Sequence, residues 1–239
     1  MHRLCIVVPF RNRFEELLAF VPHISTFLRK TGINSFVIII VNQVDSYRFN
    51  RASLVNVGYH ECQRQNCDYL CMHDVDLLPL NLKLDYGFPA LGPYHIASPE
   101  YHPKYHYQKF IGGILLLTMQ QYKQVNGMSN RYWGWGLEDD EFYLRLKDAG
   151  LSIQRPRNLR TNSTNTFLHI HDRVVRRRDY ARYGKQREET RKRDRVTGLQ
   201  SVQYTLVKRV EMNIEREPFT LLNVKLHCNV SLTPWCSPS

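Results

Sequence analysis

Two aspartates one residue apart, Asp74 and Asp76, follow directly on the apolar run of residues 69–73, and Pro79 closes the stretch. If that run is a strand, its side chains alternate and both carboxylates project to one side. The carboxyl ends of strands are where ligands sit in an open α/β sheet. Two carboxylates there repel each other unless a cation lies beside them, so the pattern asks for a divalent metal, and beside a nucleotide pocket for one that bridges a diphosphate. His169 and His171 form a second pair with the same spacing. In an extended segment both imidazoles face one way, and with an aspartate from a distant strand they make a three-ligand set with positions left open for phosphate oxygens. Imidazole ligands favour Mn2+ over Mg2+, with Zn2+ a further option. The third group is Glu138-Asp139-Asp140-Glu141, directly after Trp133-Gly134-Trp135-Gly136. Acids at a helix start are ordinary for one or two residues. Four beside a glycine-hinged tryptophan segment suggest more: one carboxylate taking a proton from a sugar hydroxyl while a neighbour hydrogen-bonds the ring.

The elements that must position these groups read as a βαβ series. Residues 4–8 are a short β-branched strand, followed by Pro9-Phe10-Arg11-Asn12-Arg13 and then by Phe14, Leu17, Leu18 and Val21 at helical spacing. A loop with two arginines before a helix N-terminus makes a seat for a diphosphate. Residues 36–41 form a continuous apolar strand, as in a sheet covered on both faces, and Phe49-Asn50-Arg51 opens a second helix with Asn50 as N-cap. The third strand ends at the paired aspartates. The fold class expected is therefore α/β, with a mostly parallel central sheet flanked by helices. No Gly-x-Gly-x-x-Gly fingerprint occurs. Residues 85–109 are rich in tyrosine, among them Tyr105 and Tyr107, whose flat faces and polar tips suit sugar rings and serve equally well as core. Gly112-Gly113 lets backbone approach something closely before the apolar run 114–117. Residues 198–207 and 220–226 alternate as late, antiparallel strands.

The 239 residues are expected to form one domain, with a nucleotide-binding half at about 1–80 and an acceptor and metal half at about 81–239. The longest apolar run is six residues, 36–41, against the ~20 needed to cross a bilayer. The chain opens straight into strand-like sequence without a signal peptide, so any membrane anchor is expected to lie outside it. Eleven Lys/Arg and four Asp/Glu lie between residues 173 and 195, giving seven of the net +11. Such a segment attracts anions, or it is a solvated helix with pairs such as Glu188–Lys192. Of six cysteines, Cys228 and Cys236 sit where a disulfide would fasten the tail, Cys62 and Cys67 flank a polar loop they could bridge, and Cys5 and Cys71 read as core thiols. The sequons at Asn162 and Asn229, with the tail cysteines, favour an oxidising lumen.

Taken in order, Pro9-Phe10-Arg11-Asn12-Arg13, Phe49-Asn50-Arg51, Asp74-Val75-Asp76, Gly112-Gly113, Trp133-Gly134-Trp135-Gly136-Leu137-Glu138-Asp139-Asp140 and His169-Ile170-His171 resemble the β-1,4-galactosyltransferases over nearly the whole chain. His-x-His departs from the Met-x-x-His ligand pattern of members acting on N-acetylglucosamine, and points to those acting on xylose in the proteoglycan linkage region. The resemblance implies a glycosyltransferase-A-like domain with a flexible Trp loop and a basic C-terminal lid. It implies UDP-galactose as donor and a xylosylated proteoglycan core protein or β-xyloside as acceptor. It further implies Mn2+ on Asp76, His169 and His171, with Asp139 as general base of an inverting displacement. Pro9, Phe10, Arg11, Arg13, Phe49, Asn50, Arg51, Asp74, Val75 and Asp76 would hold the nucleotide. Trp135, Glu138, Asp140, Tyr105, Tyr107, Gly113 and Arg178 would face the sugars. The family also implies the luminal part of a type II Golgi membrane protein; we expect a monomer. Transfer to N-acetylglucosamine is the nearest alternative. A lectin-like module without catalysis is another, and so is a nucleic-acid-binding module using the basic segment. The acidic cluster argues against the last, since it would repel phosphates.

Overall fold

The computed structural model describes residues 2–237 apart from 173, 175 and 176. Strands β1 (Leu4–Phe10), β2 (Phe36–Gln43) and β3 (Tyr69–His73) pair in parallel, with β1 between the other two. Helices α1 (Phe14–Lys30) and α2 (Arg51–Arg64) make the crossovers. Alternation along β1 divides the core: Leu4, Ile6 and Val8 face the α1 side with Phe20, Val21 and Ile24, while Cys5 and Val7 face the α2 side with Leu54, Val55 and Tyr59. A Cβ on Gly58 would fall on the Val7 side chain, so glycine sets how closely α2 can lie on the sheet.

After β3 come β4 (Leu77–Pro79), β5 (Tyr94–His95), β6 (Ile114–Thr118), α3 (Met119–Gln124), α4 (Glu138–Asp148), β7 (Phe167–His169), α5 (Gln186–Glu189), β8 (Tyr204–Ile214) and β9 (Glu217–Leu226). The main sheet runs β5-β6-β3-β1-β2-β9-β8, and β4 with β7 forms a separate antiparallel pair. The four central strands, from β3 to β9, are parallel, but β6 and β5 add antiparallel on one edge and β8 on the other. The sheet is thus mixed, with the expected parallel centre and antiparallel additions at both edges. The last hairpin accounts for one edge: its second strand inserts parallel to β2, and its first is left outside. The expected strand at 198–207 is also corrected. Residues Leu199–Ser201 form a single 3-10 turn and pairing starts at Tyr204, the two strands of the hairpin being antiparallel as anticipated.

The tail disulfide Cys228–Cys236 is present. The other bridge is Cys5–Cys67, not Cys62–Cys67, and Cys5 is no free thiol. Cys62 lies on the buried face of α2, whereas the turn after the helix swings Cys67 to the start of β1, and Cys62 and Cys71 remain free and buried. Both sequon asparagines are exposed. Among the described residues no helix is long and apolar enough to cross a membrane.

Candidate active site

A cavity of about 480 Å³ opens over the carboxyl ends of β1 and β3, and all three chemical groups reach it. The β4–β7 pairing sets Leu77 opposite His169, and the ladder continues with the Ile170 N–H donating to Asp76 O at 2.9 Å. This register delivers both histidines to Asp76, whose Oδ2 lies 3.3 Å from His171 Nδ1 and 3.8 Å from His169 Nε2. Arg13 Nη1 stands 3.0 Å from the same His171 Nδ1. That nitrogen can accept from the guanidinium or donate to the carboxylate, not both at once. Burial raises the Asp76 carboxyl, but hydrogen bonding to His171 and the charges of His169, His171 and Arg13 outweigh it and leave it below its ordinary value. Burial lowers His169, with Asp76 opposing. An ionised carboxylate beside two imidazoles is the donor set a divalent cation needs. Among the described residues no three such groups stand where they could hold an ion as placed, and the Arg13 guanidinium lies against His171 Nδ1.

The acids sit across the cavity at the start of α4. Leu137, the residue before the helix, has φ +75°, a left-handed conformation that costs a branched side chain energy and turns the helix end into the cavity. Asp139 Oδ1 accepts from Arg51 Nη1 at 3.0 Å, and the other side of the same guanidinium donates to Asp74 Oδ1 at 2.9 Å. Burial pushes the Asp139 carboxyl up and Arg51 pulls it down, the balance lying above the usual range. Asp74 is raised likewise, by burial against the pull of Arg51. Burial and the neighbouring Asp139 push Glu138 up to about 7, and its Oε2 is enclosed without a hydrogen-bond partner among the described residues. Asp140 is raised by burial and hydrogen-bonded by Tyr107. Gly112 leaves room for Asp139: a Cβ there would collide with Asp139 Oδ2 and the Phe110 ring.

The roof is aromatic and cationic. Arg178 lies 4.9 Å from the Trp135 ring centroid and donates to the Tyr105 hydroxyl, while Tyr180 packs edge-on against Trp135 at 4.9 Å. Residues 173, 175 and 176 of the expected lid lie outside the described residues. Of the basic segment that is described, several cations are already paired, Lys192 with Glu188 and Glu189 and Arg193 with Asp148, and α5 is only four residues long rather than an extended solvated helix.

Residues 1–88 match the family described as the N-terminal region of glycosyl transferase group 7, and residues 92–172 that described as the N-terminal domain of galactosyltransferase. The chain is 55% identical to β-1,4-galactosyltransferase 7 of Drosophila melanogaster, covering 100% of this chain and 74% of that protein. It is 53% identical to the xylosylprotein 4-β-galactosyltransferase of Caenorhabditis elegans, over 98% of this chain and 82% of the relative. The chain belongs to the β-1,4-galactosyltransferase family. The crystal structure of the Drosophila catalytic domain in complex with xylobiose superposes with a TM-score of 0.97 at 55% identity, covering 100% of both chains. A mutant of the same enzyme in complex with manganese, UDP-Gal and xylobiose gives 0.97 at 54%, and its single mixed-sheet domain is the fold found for this galactosyltransferase.

Most residues read from the sequence line this cavity: Pro9, Arg13, Phe49 and Val75 on the strand-end side, Gly113 and Tyr107 on the opposite one. Phe10 and Asn50 do not. Phe10 is packed in the α1-side core, and Asn50 caps α2 through Ser53 N while donating to Asn130 O. Arg11 touches the cavity, but its guanidinium holds the turn after β2, donating to the carbonyls of Gln43, Asp45 and Tyr47. Among the lining residues that went unread is His102. His102 is buried, takes the N–H groups of Lys104 and Tyr105 on Nδ1 at 2.9 Å each, and packs against Phe110 at 4.9 Å, so it shapes the tyrosine loop. Nothing in the sequence marks it out from the other histidines of that stretch.

Proposed function

We infer that this chain is a manganese-dependent inverting galactosyltransferase that moves galactose from UDP-galactose to the 4-hydroxyl of a β-linked xylose. The observation that carries the reading is the facing arrangement of Asp139 and the Asp76–His169–His171 group across one cavity, in a chain closely similar to enzymes crystallised with xylobiose and with manganese and UDP-Gal. The ion, held by Asp76, His169 and His171, supplies positive charge to the diphosphate. Arg13, displaced from His171, is placed to meet the same phosphates, and the half of the chain at about 1–80 seats the nucleotide.

Asp139 accepts the proton of the xylose 4-hydroxyl as its oxygen bonds to the anomeric carbon. The bond from that carbon to the UDP oxygen breaks with its electron pair on UDP, and attack from the opposite face inverts the centre. Arg51 keeps Asp139 ionised inside a buried site, which a base requires. Glu138, raised to about 7, can donate from its protonated form to a sugar oxygen, and Asp140 with Tyr107 borders the acceptor side. Trp135 and Arg178 cover the sugars and exclude water. We assign the chain to the Golgi lumen, a reading that linkage-region chemistry on a secreted core protein supports. Transfer from UDP-galactose to a β-xyloside against a β-N-acetylglucosaminide, each with Mn2+ and with chelator, tests this. Preference for the glucosaminide, or full activity in chelator, sinks it.

A further inference from the structure

We propose that Arg48, a residue outside the cavity, is the positioning residue that holds the roof of the site in place. Its side chain is 3% exposed and passes beneath the Trp loop. Nε donates to Asp179 Oδ2 at 2.6 Å, Nη1 to Gln186 Oε1 at 2.8 Å and to the Trp235 carbonyl at 3.1 Å, and Nη2 to the Ala181 carbonyl at 2.8 Å. The guanidinium also lies 5.0 Å from the Tyr183 ring centroid. Three of these four acceptors belong to the segment 179–186 that carries the roof.

The same segment grips the Trp loop. The Asp179 carbonyl takes the Trp135 N–H at 2.9 Å, Arg182 Nη2 donates to the Trp135 carbonyl at 2.8 Å, and Gln186 Nε2 donates to the Trp133 carbonyl at 2.9 Å. Gly134 has no side chain where one would fall on Arg48 Nη2, so the loop can cross directly over the guanidinium. From the other side Arg48 is fixed to the tail. Its own N–H donates to the Cys236 carbonyl at 2.8 Å, and the Cys228–Cys236 bridge closes that tail. One buried fork thus joins a fixed post to both halves of the roof, and Trp135 and Arg178 keep their places as a unit. A lysine cannot do this, since a point charge does not reach four acceptors in one plane.

The inference rests on the galactosyl-transfer reading, in which a displaced roof admits water to the donor. Arg48→Lys should keep its fold, raise the KM for UDP-galactose about 10-fold, and raise the ratio of UDP-galactose hydrolysis to transfer about 10-fold, with a smaller change in kcat. Asp179→Asn, at a side chain 39% exposed, carries the test should Arg48→Lys fail to fold. It should shift both readouts in the same direction. Because the two act through one latch, the double variant should be no worse than the poorer single. A folded Asp179→Asn with the parent's KM and hydrolysis ratio overturns the proposal, as do additive effects in the double variant. A parent chain that does not galactosylate a β-xyloside instead overturns the functional reading.

Discussion

Arg51→Gln separates two roles that one arginine could have, holding the nucleotide or keeping the base ionised. Arg51 is buried between Asp139, 3.0 Å from Nη1, and Asp74, 2.8 Å from Nη2. At 3.0 Å and an effective dielectric of about 20, the charge pair is worth about 5 kcal/mol. Burial works against both ions, so only part of that energy reaches the Asp139 carboxyl, and each ~1.4 kcal/mol that does is a factor of ten in its ionisation. The sign follows from the cause: burial already holds Asp139 above its ordinary value, and removing Arg51 lets it rise further. The acid limb of kcat/KM should therefore move to higher pH. Near pH 6 the variant should lose about 10- to 100-fold beyond any loss it shows at pH 8.5. Two buried carboxylates left without their cation should also cost about 3–5 kcal/mol of stability, so the profile is measured well below the variant's Tm. A uniform loss at every pH, with the limb where the parent has it, would refute the reasoning and leave Arg51 as a donor-binding residue alone.

Asp139→Asn should leave UDP binding in Mn2+ nearly intact and reduce transfer by ~10²-fold or more, and equal turnover would remove Asp139 from the base role. Gly112→Ala, whose new methyl collides with Asp139 Oδ2, should lower kcat by ~10²-fold through misplacement of the base; calorimetric UDP affinity unchanged from the parent would show that the donor site is spared. His169→Ala and His171→Ala should each weaken Mn2+ affinity by at least about 10-fold in a metal titration of UDP binding, and an unchanged titration would exclude that histidine from the ion. For Glu138, the folded value of about 7 lies above the ordinary 4.5, so the native state holds the extra proton and its stability falls as pH rises between those values. The Tm advantage of Glu138→Gln over the parent should accordingly grow from about pH 4.5 to 7 and stay level above, whereas a pH-independent difference would contradict the raised value.

Much of the chemistry was legible because it is local. Asp74 and Asp76, His169 and His171, and the acids after Trp135 are each adjacent or two apart, and backbone periodicity alone sends such groups to one side. The three βαβ strands were legible for the same reason, as runs of apolar residues with a fixed repeat. Residue types likewise suggested a metal and a base. The sequence could not say how distant segments meet, because long-range pairing follows from strand order and from which face each helix presents. That β9 slots in parallel beside β2, that Cys67 reaches Cys5 instead of its neighbour Cys62, and that Phe10 turns into the core are decisions of packing. So are the placement of Arg51 between two acids and of Arg48 under the Trp loop. An arginine's partners lie within a few ångströms in space but 23 to 187 residues away along the chain, and only the folded sheet brings them together.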